Sequence, residues 1–97
     1  MTITKEAIEG GIVLHLEGRL DTTTAPVLEK TIRDIPGKGT LVLDFKALVY
    51  ISSAGLRTLL FRQKEAAVRG PMILTNVSSD IMEVFDITGF SAIFTIQ

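Results

Sequence analysis

Three consecutive apolar residues, Leu41-Val42-Leu43, are followed downstream by Leu56, Leu59 and Leu60 at helical spacing, and this pair of patterns limits the fold most. The first run is short and reads as a strand. An unbroken run of this kind suits a strand covered on both faces, as inside a parallel sheet. The second pattern is a helix with one apolar side. Parallel strands need such crossover helices to connect them.

The rest of the chain repeats the alternation. Ile3 to Ile8 and Ile12 to Glu17 read as two strands joined at Glu9-Gly10-Gly11, a hairpin signal. Ile12, Leu14 and Leu16 share one face of the second strand, and Val13, His15 and Glu17 the other. Gly18-Arg19-Leu20-Asp21 then leaves the sheet. Thr22 to Thr24 offer caps for a helix with Pro26 in its first turn. Its apolar face is Ala25, Leu28, Ile32 and Ile35, and Pro36-Gly37-Lys38-Gly39 ends it. The central strand runs from Thr40 to Phe45, with Asp44 near its end.

A second helix opens at Ser52 and Ser53 and runs to about Arg69. Leu56, Leu59, Leu60 and Ala67 face inward with Phe61 flanking, and Arg57, Arg62, Lys64 and Arg69 lie outside the stripe. Gly70-Pro71 stops it. Met72 to Thr75 is a short strand; Val77, Ile81, Val84 and Phe85 mark a third helix that Thr88-Gly89 closes; Ser91 to Ile96 is a last strand. The order ββαβαβαβ is that of an α/β fold: a single sheet of about five mostly parallel strands with an N-terminal β-hairpin and helices mainly on one face. Residues 1–97 are expected to form a single domain, 46% hydrophobic and able to bury a core unaided.

The crossovers should gather Asp21, Asp44, Ser52 and Ser53 at one end of the sheet. Two hydroxyls stand where a helix begins. Free N–H groups and partial positive charge favour a capping oxygen or an anion there. One serine can cap while its neighbour stays free to carry a phosphate. That phosphate would put ~1.5–2 negative charges on the surface. Gly55, costly inside a helix by about 1 kcal/mol relative to alanine, serves either close packing against the sheet or a flat approach for a partner. Asp21 and Asp44 serve either local hydrogen bonding at a turn and a strand end, or orientation of a serine hydroxyl or contact with a partner's basic group.

Other classes are disfavoured. The net charge of −1 offers no basic field for nucleic acid. There is no cysteine for disulfides, thiolate catalysis or zinc. His15 is the only histidine and sits mid-strand, and no G-x-S-x-G elbow surrounds the serines, so a Ser-His-Asp hydrolase is not expected. No phosphate-binding Gly-rich loop or metal-ligand spacing is present, and no cofactor is implied. No apolar run nears the ~20 residues of a membrane span, and the polar start Met1 to Glu6 lacks a signal-peptide run, so a cytoplasmic protein without membrane insertion is expected.

Tyr50-Ile51-Ser52-Ser53-Ala54-Gly55-Leu56 resembles the signature of STAS domains, specifically the bacterial anti-sigma-factor antagonists. Gly18-Arg19-Leu20-Asp21 with Thr24-Ala25, Leu41-Val42-Leu43-Asp44-Phe45 and Phe85-Asp86-Ile87-Thr88-Gly89-Phe90 are similar to three further family segments in the same order. The resemblance implies a regulator rather than an enzyme. Its unphosphorylated form would bind an anti-sigma factor, often a GHKL-type serine kinase. Phosphorylation would release that partner, and a PP2C-type phosphatase would reset the switch. By position, the resemblance makes Ser53 the phosphoacceptor, with Ser52 second. It places Asp21, Thr22, Ser52, Ala54, Gly55 and Arg57 on the partner surface. The alternative within the family is a non-phosphorylated scaffold or ligand-sensing module, with Ser53 serving only the helix start. Two departures stand out: Ser52 stands where the family usually has an aspartate, and the sequence ends at Gln97, where family members often continue into a C-terminal helix.

Overall fold

A computed structural model describes residues 1–97. In chain order it contains β1 (Thr2–Ile8), β2 (Gly11–Leu20), α1 (Ala25–Arg33), β3 (Thr40–Ile51), α2 (Ser53–Lys64), α3 (Ala66–Arg69), β4 (Met72–Thr75), α4 (Ser79–Thr88) and β5 (Thr95–Ile96). All five strands form one sheet in the order β1-β2-β3-β4-β5. β1 is antiparallel to β2, and the remaining neighbours are parallel. The expected α/β order is present, with the second helix divided at Glu65.

The sheet is covered on one side. Leu14, Leu16, Leu41, Leu43, Met72 and Leu74 are buried, while the intervening Val13, His15, Val42 and Ile73 are only half-buried. Ala25, Leu28 and Ile32 of α1, Leu56 and Leu59 of α2, and Ile81 and Phe85 of α4 join those sheet residues in one core. Three helices therefore share a face. Each fully buried leucine or phenylalanine contributes about 1.5–3 kcal/mol. The reading of Leu41-Val42-Leu43 as covered on both sides is corrected by Val42, which alternates onto the open face.

β2 and β3 outrun their expected ends. Burial along β3 falls at Leu41, Leu43 and Phe45, then at Leu48 and Ile51. Steps of two become steps of three because β3 carries an extra residue twice. His15 pairs with Asp44 but Glu17 with Ala47, and Gly18 pairs with Leu48 but Arg19 with Tyr50. These are bulges, which insert a residue on one strand and bend it. Gly18-Arg19-Leu20 thus stays in the sheet rather than leaving it.

The helix after β3 also differs from its sequence reading. Arg62, expected outside the apolar stripe, is only 4% exposed. Its Nη1 donates to Gly70 O at 2.9 Å. Arg69 donates through Nη2 to Ile32 O and Ile35 O at 3.0 and 3.2 Å, closing the end of α1. Ala67, expected inward, is exposed. Gly70 has φ +103°, and a Cβ there would lie 2.2 Å from Gly39 O, so only glycine fits this crossing of backbones. Beyond α4, Phe90–Ala92 forms a 3₁₀ turn and only Thr95–Ile96 pairs as a strand. Phe94 instead packs edge-on against Phe85 and Phe90, with ring centroids 5.3 and 5.6 Å away.

Candidate functional site

β3 passes into α2 with only Ser52 between them. Ser52 has extended backbone angles and is the N-cap: its Oγ accepts from Gly55 N–H at 3.3 Å. Its own N–H donates to Leu20 O at 2.9 Å, which ties the helix start to the end of β2. Ser53, the first helical residue, is exposed, and its hydroxyl has no hydrogen-bond partner within the chain. The two adjacent serines thus have separate situations: Ser52 caps, and Ser53 stands free at a helix N-terminus.

Gly55 is buried, so it offers no surface to a partner. A Cβ there would lie 2.7 Å from Leu20 Cγ and 3.0 Å from Ile51 Cγ1. Of its two sequence readings, the structure shows close packing of helix against sheet. Leu20 and Ile51 are themselves paired across β2 and β3.

Asp21 follows Leu20 and forms a turn with the threonines. Its Oδ1 accepts from the Thr23 N–H at 3.0 Å, the Thr23 hydroxyl at 2.8 Å and the Thr24 N–H at 3.2 Å. The Thr23 hydroxyl, with the Thr24 and Thr23 N–H groups behind it, holds the carboxyl below the usual carboxylate range against partial desolvation. Thr24 occupies the N-cap of α1 but makes no side-chain cap bond; its hydroxyl donates to Arg19 O at 2.8 Å. Arg19 lies 4.0 Å over the Tyr50 ring and 3.8 Å from Asp21 Oδ2. No hydrogen bond joins Asp21 to either serine, so here it builds the turn beside them and orients neither hydroxyl.

Thr22, Ala54 and Arg57 come together. With Pro26, Glu29 and Phe61 they line a cleft of about 370 Å³ between α1 and α2. Arg57 is exposed and pairs with no carboxylate. Phe61 is 65% exposed and Val49, beside Tyr50, 71%. The sequence spacing marked Phe61 only as flanking the stripe. Its place on the cleft wall depends on the position of α1.

Asp44 does not belong to this end. It lies seven residues before Ile51 along β3, on the order of 20 Å at roughly 3.3 Å per residue. Its carboxylate accepts from the Asn76 amide at 2.8 Å, the Lys46 N–H at 3.0 Å and His15 Nδ1 at 2.7 Å. Burial opposes its ionisation, but Asn76, Lys46 and His15 together hold it below the usual carboxylate range. The other His15 nitrogen, Nε2, is 2.7 Å from Glu6 Oε1. Glu6 first and Asp44 second raise the histidine pKa above its ordinary value. His15 is therefore a clasp across β1, β2 and β3 on the open face, far from the serines. No group of three or more His, Asp or Glu side chains converges to hold a metal ion, and no helix is long and apolar enough to cross a membrane.

This arrangement has relatives. A putative anti-sigma factor antagonist, BtrV, of Bordetella bronchiseptica is 36% identical over 99% of this chain and 85% of its own length. The anti-sigma-B factor antagonist of Bacillus subtilis is 30% identical over 92% of this chain and 84% of its own. The crystal structure of an anti-sigma factor antagonist from Mycobacterium paratuberculosis superposes with a TM-score of 0.83 at 25% identity, over 98% of this chain and 83% of that one. The sequence profile of the STAS domain matches residues 2–97. With nearly its whole length matched by that profile, the chain belongs to the STAS domain family.

Proposed function

We propose that this protein is an anti-sigma-factor antagonist working as a partner switch, with Ser53 as its phosphoacceptor. The observation that carries the reading is the division of labour between the serines. Ser52 is engaged as the N-cap, while the Ser53 hydroxyl is exposed and unbonded. A phosphate on Ser53 would meet the N-terminus of α2, where negative charge is favoured, so the fold tolerates it. Its effect is directed outward, adding ~1.5–2 negative charges beside the cleft of Thr22, Ala54, Arg57 and Phe61. A partner packed there would face desolvated, repelling charge and dissociate. The names of the two relatives support the anti-sigma factor as that partner. On this reading the kinase is of GHKL type and can be the anti-sigma factor itself. A PP2C-type phosphatase restores the binding form. The protein acts in the cytoplasm without catalysis of its own.

The test uses the cognate anti-sigma factor with ATP. Mass spectrometry should place a single phosphate on Ser53, and Ser53→Ala should remove it. Ser53→Asp should weaken binding to the anti-sigma factor, while Ser53→Ala should bind as wild type does. Wild-type affinity in Ser53→Asp would sink the switch. Phosphate on Ser52 in the Ser53→Ala variant would move the acceptor.

A further inference from the structure

At the opposite end of the sheet from the serines, a second cavity of about 240 Å³ opens where α1 ends and β3 begins. Its walls include Ile35, Gly37, Lys38, Thr40, Arg62 and Arg69, and no carboxylate is among its lining residues. Arg62 is the one charged side chain buried in the molecule. It pairs with no carboxylate, and its only hydrogen bond in the chain is the one from Nη1 to Gly70 O. Burial first, and then the Arg69 guanidinium, make its charge harder to hold; the Glu65 carboxylate acts the other way.

A buried, uncompensated charge is among the costliest things a fold can keep. Here the surroundings add to the charge rather than cancel it. Lys38 is exposed on the loop and forms no ion pair. Arg69 has Glu65 at 3.6 Å, and Glu65 and Glu29 lie on the other side of the two arginines, outside the cavity lining. The cavity wall itself carries three cations, Lys38, Arg62 and Arg69, and no carboxylate. The loop contributes more donors, since the N–H groups of Gly37 and Lys38 have no partner within the chain. The Arg62 guanidinium, engaged only through Nη1, and the Lys38 ammonium beside free backbone N–H groups suit a tetrahedral oxyanion, whose several oxygens accept at once, with Arg69 adding its charge. A phosphate group near pH 7 carries ~1.5–2 negative charges, opposite in sign to the three cations of this wall.

We propose that this cavity binds a phosphate group, free or as a small phosphomonoester, held by Arg62, Arg69 and Lys38. The site is separate from the serine switch and does not depend on it. It gives the chain a second point at which a small metabolite can act.

The test is a ¹⁵N NMR titration of the full chain with inorganic phosphate, with sodium chloride at matched ionic strength as control. Saturable shifts are expected at the amides of Gly37 to Thr40 and at Arg62 Nε. Lys38→Glu, on an exposed loop, should weaken binding by about tenfold or more while leaving the thermal midpoint unchanged. Arg62→Lys keeps the charge but loses the fork and should also bind more weakly. Glycerol 3-phosphate and AMP form the second arm. Tighter binding than inorganic phosphate identifies a monoester site, and equal binding identifies the phosphate group alone as what is recognised. Glycerol 3-phosphate should bind more tightly as pH rises through about 6, its second pKa. The proposal is overturned by shifts no different from the chloride control, by wild-type affinity in Lys38→Glu, or by acetate binding as tightly as phosphate.

Discussion

The two ends of the sheet solve the same electrostatic problem differently. At the serine end, the favourable potential for an anion comes from the backbone of α2, and nearly every polar side chain there is either exposed or spent on a turn or cap. At the glycine-loop end, the favourable potential comes from side chains, one of them buried at a cost. Backbone charge at a helix start is free of desolvation penalty, so the first end can stand empty without strain. A buried guanidinium cannot, so the second end is under pressure to be filled. The covalent mark proposed for the first end and the ligand proposed for the second are both ways of using that difference.

The contrast can be broken by mutation. Leu20→Ala should have the largest effect, about 2–5 kcal/mol in urea unfolding, because Leu20 is fully buried and packs under Gly55. Gly55→Ala should destabilise the wild type and lose most of that cost on the Leu20→Ala background, where the obstructing Cγ is gone and alanine's helix preference of about 1 kcal/mol asserts itself. Additive effects would mean that Gly55 is not there for packing. At the other end, Arg62→Ala should cost about 1–3 kcal/mol by orphaning Gly70 O, whereas Arg57→Ala at the serine end should stay within about 0.5 kcal/mol. Similar costs for the two arginines would erase the distinction between a built and an open site.

Smaller again is the difference between neighbours. Ser52→Ala should lose about 1 kcal/mol as a cap, and Ser53→Ala less than about 0.5 kcal/mol. The reverse order would exchange their roles. The His15 clasp, being only half-buried, gives a shift whose direction alone is expected. A histidine with a raised folded pKa stabilises fully below its unfolded value of 6.5, and that contribution fades as pH rises through the folded pKa. Wild type should therefore lose stability relative to His15→Gln as pH rises above 6.5 and through the raised folded pKa, measured by urea midpoints. Parallel midpoints across that range would mean that the clasp contributes nothing.

Much of the fold can be read from the sequence because Leu14/Leu16, Ala25/Leu28/Ile32 and Leu56/Leu59 keep undisturbed periods of two or of three and four. Reading fails where a period is interrupted for a structural reason. The bulges in β3 replace alternation with three-residue steps at Leu48 and Ile51, so the second half of that strand looks like a loop. Arg62 looks like surface because arginine is seldom buried, and what draws it inward, Gly70 O, is supplied by a backbone crossing no local pattern reveals. Asp44 looks terminal because the apolar pattern of the strand breaks after Phe45. At the site, the Ser52–Ser53 pair and Gly55 can be found from their types and spacing. The cleft at Phe61 needs α1 in place before it exists.

The direct passage from β3 into α2 bears on how any enzyme meets Ser53. Most short substrates are grasped as extended strands and can be imitated by synthetic peptides. Here the residue before the hydroxyl is pinned by the bond from Ser52 N–H to Leu20 O, and the residue itself is already helical. On the proposed function, an enzyme that modifies Ser53 meets a folded shape, with the loop of Asp21 and the flank of α1 beside the hydroxyl. A free peptide spanning residues 46–60 should be a poor substrate, and equal turnover of peptide and folded chain would contradict this.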